Sequence, residues 1–221
     1  MNYLLHLATF LVAFLPILGL VCGATDHLRR PRHRIVIWCM WRRCTPPMFL
    51  EVAILVACVI GTFSALYAYV PFMKWSILYL FDVSAAPLSL LEMSWNWGYR
   101  YEGRLYVTVL LLCILPFVPY LTSLEERMCR KGYEKWHTIA FQSCKFGLAH
   151  CAVPIMPIAG GFTLILVGLF LGWKYFRAFR KYKSMGVASR ARVMATRKSA
   201  TYHALYDGIL IIVLILFVQI M

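Results

Sequence analysis

Residues 48–73 read MFLEVAILVACVIGTFSALYAYVPFM and carry one charged residue, Glu51. About 20 consecutive apolar residues are enough for a helix to cross a bilayer. This stretch therefore predicts a membrane-spanning helix. Further apolar stretches occur on both sides of it, over residues 2–24, 75–91, 105–119, 138–153, 155–173 and 201–221.

The composition of the whole chain agrees with this prediction. Of the 221 residues, 62% are hydrophobic and 14% are charged, whereas roughly 25% are charged in soluble domains. Mean hydropathy is +0.70. These values exclude a soluble globular domain, a disordered chain and a fibrous repeat. We expect one all-α domain over residues 1–221, a polytopic transmembrane helix bundle.

The basic residues fall mainly in two predicted loops. Residues 26–43 and 174–198 hold six and nine of the 23 Lys and Arg residues, and the net charge is +14. Basic loops of membrane proteins lie on the cytoplasmic side, so an even number of crossings should separate these two. There are six crossings between the two loops if the charged residues 121–136 also form a membrane helix. The first and last apolar stretches bring the total to about eight helices. Because the basic residues flank apolar spans, we expect contact with the lipid bilayer and no nucleic acid.

Polar residues at helical spacing lie in or beside these segments. Ionisable groups inside a membrane are costly and usually functional. Residues four apart share a helix face. The pairs with this spacing are Glu126 with Arg130, Phe146 with His150, and His203 with Asp207.

The adjacent glutamates Glu125 and Glu126 are expected to differ in role. Their side chains point about 100° apart on a helix, so Glu126 can pair with Arg130 while Glu125 is free to act. Ser123, three residues before Glu126, fits a capping box that would start this helix.

Three helices must meet if these groups form one site. A hairpin that turns near His137 would bring Glu125 level with His150, where the two can hold a water molecule. His203 reaches the same depth only if the last helix begins near Ala188. Residues 188–200 contain no Pro or Gly, so we predict that start.

The three motifs, in this order and spacing, resemble those of the CPBP family of intramembrane proteases (CAAX proteases and bacteriocin-processing enzymes, also called the Abi family). The resemblance covers residues 121–208, and residues 1–104 carry no such motif. The motifs read Glu125-Glu126-x-x-x-Arg130, Phe146-x-x-x-His150 and His203-x-x-x-Asp207.

The resemblance implies an eight-helix fold with a CAAX-protease-like core. It also implies an intramembrane endopeptidase that cleaves a peptide or prenylated protein with a glutamate-activated water. The catalytic residues implied are Glu125, His150, His203 and Asp207, with Glu126, Arg130 and Phe146 in support. The protein would be an integral, multi-pass protein of the endoplasmic reticulum, another organelle membrane or a bacterial inner membrane.

Two departures from the family pattern leave alternatives open. Cys129 stands where the family often has Phe, and Asp207 stands where many members have Asn. An anionic residue is a poorer donor to an oxyanion, so the alternative is a catalytically idle CPBP-like scaffold or assembly subunit that contacts other membrane subunits. A small proton-relaying transporter is a further alternative. The ligand types would also suit zinc, but the resemblance favours a mechanism without a metal.

Overall fold

The computed structural model describes residues 19, 22–23, 25–26, 29–75, 101–130, 132–151 and 156–220. All regular structure in these ranges is helical. Most of the predicted first helix (2–24) and of the predicted span 75–91 lies outside the described residues.

Two helices that start with proline lie within residues 31–69. Helix α1 covers Pro31–Trp41 and helix α2 covers Pro46–Tyr69. Proline fits the first turn of a helix because the amide groups there have no intrahelical partner. The basic stretch 26–43, predicted to be a loop, is helical over Pro31–Trp41. Proline favours the first turn of a helix, and arginine has a high helix propensity.

Helices α3 and α4 follow one another without a loop. Helix α3 covers Tyr101–Ile114 and α4 covers Val118–Arg130, with a 3₁₀ turn over Leu115–Phe117 between them. The predicted start of α4 at Ser123 is wrong. The helix begins five residues earlier because Pro119 lies in its first turn, where a missing amide proton costs nothing.

Three helices complete the described chain: α5 covers Trp136–His150, α6 covers Ile158–Lys183 and α7 covers Ala188–Ile220. The second basic stretch, 174–198, was predicted to be a loop but is helical except for the turn at 184–187. Lysine and arginine favour helices, and cations in the last turn of α6 face its negative end. The predicted start of α7 at Ala188 is confirmed.

Helix α7 lies at the centre of the bundle. Helices α2, α3, α4 and α6 pack against it, and α5 packs chiefly against α6. The buried stripe of α2 has spacings of three and four residues, which places it on one helix face. The core that it forms with α6 and α7 contains Met48, Val52, Val56, Val59, Val167, Leu171, Tyr202, Leu205 and Tyr206.

Glycines bring α5 and α6 close together. A Cβ atom on Gly168 would lie 2.9 Å from the carbonyl oxygen of Ser143, and one on Gly172 would lie 2.9 Å from the Ile139 side chain. Small residues at such positions let two helix backbones approach closely. This approach brings the α6 backbone within reach of side chains from α4 and α5.

Among the described residues, three helices are long and apolar enough to cross a membrane: Pro46–Tyr69, Ile158–Lys183 and Ala188–Ile220. Large apolar side chains on their outer faces stay exposed, among them Ile54 at 56% and Leu216 at 57%. Contiguous exposed apolar surface is unfavourable in water. These faces are therefore suited to contact with lipid.

Candidate functional site

The side chain of His203 lies where α7 passes α4, and it is buried. It lies 15 residues into α7, since the helix begins at Ala188. Asp207 follows one turn later on the same face, and its side chain is 32% exposed. The predicted position of His203, 15 residues into the last helix, is confirmed.

Glu126 and Arg130 form a fully buried ion pair within α4. The Arg130 guanidinium also donates a hydrogen bond from Nη2 to the carbonyl oxygen of Gly168, at 2.9 Å. The hydroxyl of Ser143 donates to the same oxygen at 2.8 Å. Arg130 therefore holds the Glu126 carboxylate in place from a fixed point on α6, and the predicted pairing is confirmed.

The imidazole of His203 joins the carboxylates of the site. Its Nδ1 atom lies 3.1 Å from Oε1 of Glu126, and the Nδ1–H group donates a hydrogen bond that this carboxylate oxygen accepts. Its Nε2 atom lies 3.4 Å from Oε2 of Glu125 and 3.7 Å from Oδ2 of Asp207. The outer nitrogen of His203 therefore faces the two carboxylates that are partly exposed.

Glu125 and Glu126 differ sharply in their access to solvent. The side chain of Glu126 has no exposed surface, whereas that of Glu125 is 42% exposed. An exposed carboxylate can exchange a proton with water, and a sealed one held by a guanidinium cannot do so directly. Glu125 is therefore the glutamate of this pair that is suited to act as a base.

Helix α5 contributes Phe146 and His150. The Phe146 ring lies edge-on between the two imidazoles, with its centroid 4.6 Å from that of His150 and 5.8 Å from that of His203. Nδ1 of His150 lies 2.8 Å from the Phe146 carbonyl oxygen. Because a carbonyl can only accept, Nδ1 must donate, which leaves Nε2 of His150 free to contact a ligand.

The predicted hairpin of α4 and α5 does not assemble this site. The chain turns at 132–135, before His137, and α4 packs mainly on α7. The buried stripe of α4, which includes Val118, lies against small residues of α7 such as Ala200 and Ala204. These alanines leave room for the α4 side chains, and α7 therefore takes the place that α5 was expected to fill.

Sequence reasoning missed Ser143 and the carbonyl of Gly168. Neither residue titrates, and Ser143 lies in an apolar stretch. The sequence feature that could have indicated these contacts is the pair Gly168 and Gly172, because small residues at this spacing are typical of two closely packed helices. Backbone acceptors become available to other helices where such an approach occurs.

The described residues contain no group of three or more His, Cys, Asp or Glu side chains arranged to hold a metal ion. No protein-family model matches the chain, and no curated protein or solved structure matches it either.

Proposed function

We propose that the protein is an intramembrane endopeptidase that hydrolyses peptide bonds with a water molecule activated by Glu125. The observation that carries the proposal is the contact of the half-exposed Glu125 carboxylate with the buried imidazole of His203 at 3.4 Å. Behind that imidazole, the Glu126 carboxylate is fixed by Arg130. This arrangement of one open and one sealed glutamate supports the resemblance to CPBP proteases.

The proposed reaction begins when Glu125 takes a proton from water and the water oxygen bonds to the peptide carbonyl carbon. The carbonyl oxygen becomes an oxyanion, and His150 and His203 orient the water and stabilise charge. The carbon–nitrogen bond then breaks, and the proton held by Glu125 passes to the leaving nitrogen. Asp207 keeps the outer nitrogen of His203 oriented.

The proposed setting is a multi-pass protein with about eight helices and a CAAX-protease-like core. The support comes from the three candidate spans and from the basic residues that gather at the turn between α6 and α7. Substrates of this proposed enzyme are membrane-associated peptides or prenylated proteins. Such substrates reach a site between helices from the bilayer.

The central test is hydrolysis of prenylated CAAX peptides by the purified full-length chain in liposomes, with fragments identified by mass spectrometry. We expect Glu125→Gln to lower the rate by about 10²–10⁴-fold, the usual contribution of a general base. Asp26→Asn, which removes an exposed carboxylate from the segment before α1, is the control and should keep its rate. Equal rates for Glu125→Gln and the unchanged protein would refute the catalytic role.

The idle scaffold remains the competing function, and one observation favours it. Asp207 places a third carboxylate around His203, beside Glu125 and Glu126, where an oxyanion would need donors. If the protein cuts none of the prenylated CAAX peptides, the scaffold function explains the structure better than the peptidase does. Zinc dependence would appear in the same assay as activity lost to a chelator and restored by zinc alone.

A further inference from the structure

A cavity of about 550 Å³ lies beside the glutamate–histidine site. Its walls come from α1, from α4, from the turn that follows α4 and from the first turns of α7. On α7, Ala200 lines this cavity one turn before His203. The cavity is within the usual size range of small-molecule sites, roughly 300–1,000 Å³. The proposed function assigns no role to it.

Three arginines line this cavity: Arg127, Arg192 and Arg197. Arg192 contacts Glu134 through Nε and Nη2, at 3.1 and 2.5 Å, and Lys183 contacts the same carboxylate at 3.0 Å. Arg127 and Arg197 are exposed and form no ion pair with any other described residue. Glu134 thus faces two cations, and the guanidinium groups of Arg127 and Arg197 remain available to bind an anion.

The rest of the lining is amphipathic. Hydroxyl groups of Ser123 and Ser189 stand beside the arginines, whereas Met40, Val193 and Ala200 supply apolar surface. Guanidinium groups bind phosphate oxygens in a bidentate manner, and hydroxyls add single hydrogen bonds. A ligand that carries a phosphate on an apolar body matches both kinds of wall.

The place of the cavity in the fold suits such a ligand. It lies at the end of the bundle where α6 finishes with Arg180, Lys181 and Lys183 and α7 begins. Basic ends of membrane helices adjoin the headgroups of anionic lipids, whose surface potential attracts Lys and Arg. We therefore expect the arginines of the cavity to lie near the lipid phosphates.

We propose that the cavity lined by Arg127, Arg192 and Arg197 is a binding site for a phosphate group, as carried by the headgroup of an anionic lipid. Arg127 and Arg197 contact the phosphate, and Arg192 is kept in position by Glu134. The apolar side chains accept the start of the acyl chains. A soluble phosphate ester shares the headgroup chemistry, and the experiment separates the two sources.

The test is native mass spectrometry of the purified full-length chain in a neutral detergent, titrated with phosphatidic acid or with phosphatidylcholine of the same acyl chains. We expect phosphatidic acid to bind about tenfold more tightly or better, a free-energy difference of about 1.4 kcal/mol. Arg127→Gln with Arg197→Gln should remove this preference. Arg177→Gln with Arg190→Gln removes two exposed charges outside the cavity and should keep it.

Competition with inorganic phosphate identifies the source of the ligand. Displacement of phosphatidic acid by millimolar phosphate supports a site for a soluble phosphate ester, and retention of the lipid supports a headgroup site. Equal affinity of the unchanged protein and the Arg127/Arg197 variant for phosphatidic acid would overturn the proposal, as would an equal loss in the control pair.

Two further variants test the site without removing any of its arginines. Ser123→Glu adds a carboxylate to the cavity without removing an arginine, and it should weaken phosphatidic acid binding while the melting temperature stays near that of the unchanged protein. Glu125→Gln should leave lipid binding unchanged. A lipid preference that persists in Ser123→Glu would contradict the site, whatever the outcome of the peptidase assay.

Discussion

At position 126 the chain buries a carboxylate completely, and at position 125 it leaves one 42% exposed. The sequence predicts this difference because adjacent helix positions point about 100° apart. It also predicts the Glu126–Arg130 pair, because four-residue spacing is a local property of the helix. The hydrogen bond from Arg130 to Gly168 was not predictable, since it depends on how closely α5 and α6 pack.

The buried pair yields a prediction about stability. Glu126→Gln should lower the free energy of unfolding by about 3–5 kcal/mol, because it leaves the Arg130 charge buried without its partner. Unfolding by a denaturing detergent, followed by circular dichroism, measures the difference. Glu125→Gln is the matched control one residue away, and its exposed side chain should cost at most about 1 kcal/mol. Equal losses in the two variants would show that the Glu126 pair is not a structural element.

At the scale of the helix, the start of α7 was predictable and its partner was not. Residues 188–200 contain no residue that breaks a helix, which fixes the depth of His203. The pairing of α4 with α7 depends on the space above Ala200 and Ala204, and spacing along one helix carries no information about a neighbour. Short connections suggested α5 as that neighbour, and here this expectation failed.

The contact of α5 with α6 yields a second stability prediction. Gly168→Ala places a Cβ atom 2.9 Å from the Ser143 carbonyl oxygen, so we expect a loss of about 1–3 kcal/mol from overpacking. Peptidase activity should fall too, because the Gly168 carbonyl holds Arg130. Gly61→Ala in α2 meets no atom within 4 Å and should be neutral or stabilising by up to about 1 kcal/mol. Thermal melting of both variants measures this contrast, and a Gly168→Ala protein as stable as Gly61→Ala would contradict the close approach.

At the scale of the whole molecule, Glu134 ties three parts of the bundle together. It lies in the turn between α4 and α5 and contacts Lys183 at the end of α6 and Arg192 at the start of α7. Hydrogen bonds from Arg192 and Lys183 lower the pKa of Glu134 below its ordinary value. The charges that surround this turn are clear in the sequence, but their convergence on one carboxylate follows only from the packing of α6 against α7.

This cluster predicts a dependence of stability on pH. A carboxylate whose pKa is lowered by folding stabilises the protein above its unfolded pKa, about 4.3 for glutamate. That contribution is lost as the pH falls through the lower pKa of the folded state. The difference in melting temperature between the unchanged protein and Glu134→Gln should therefore be constant above about pH 5 and shrink below about pH 4. A difference that does not change with pH would show that the Glu134 charge has no part in it.

The sealed position of Glu126 has a consequence for how the two glutamates communicate. Its carboxylate contacts Arg130 and Nδ1 of His203, and the opposite nitrogen of that ring faces Glu125. The carboxylates of Glu125 and Glu126 therefore contact the two nitrogens of one imidazole ring, that of His203. The imidazole therefore links the sealed half of the site to its solvent-accessible half, so a substitution at either glutamate changes the contacts of the ring that the other one shares.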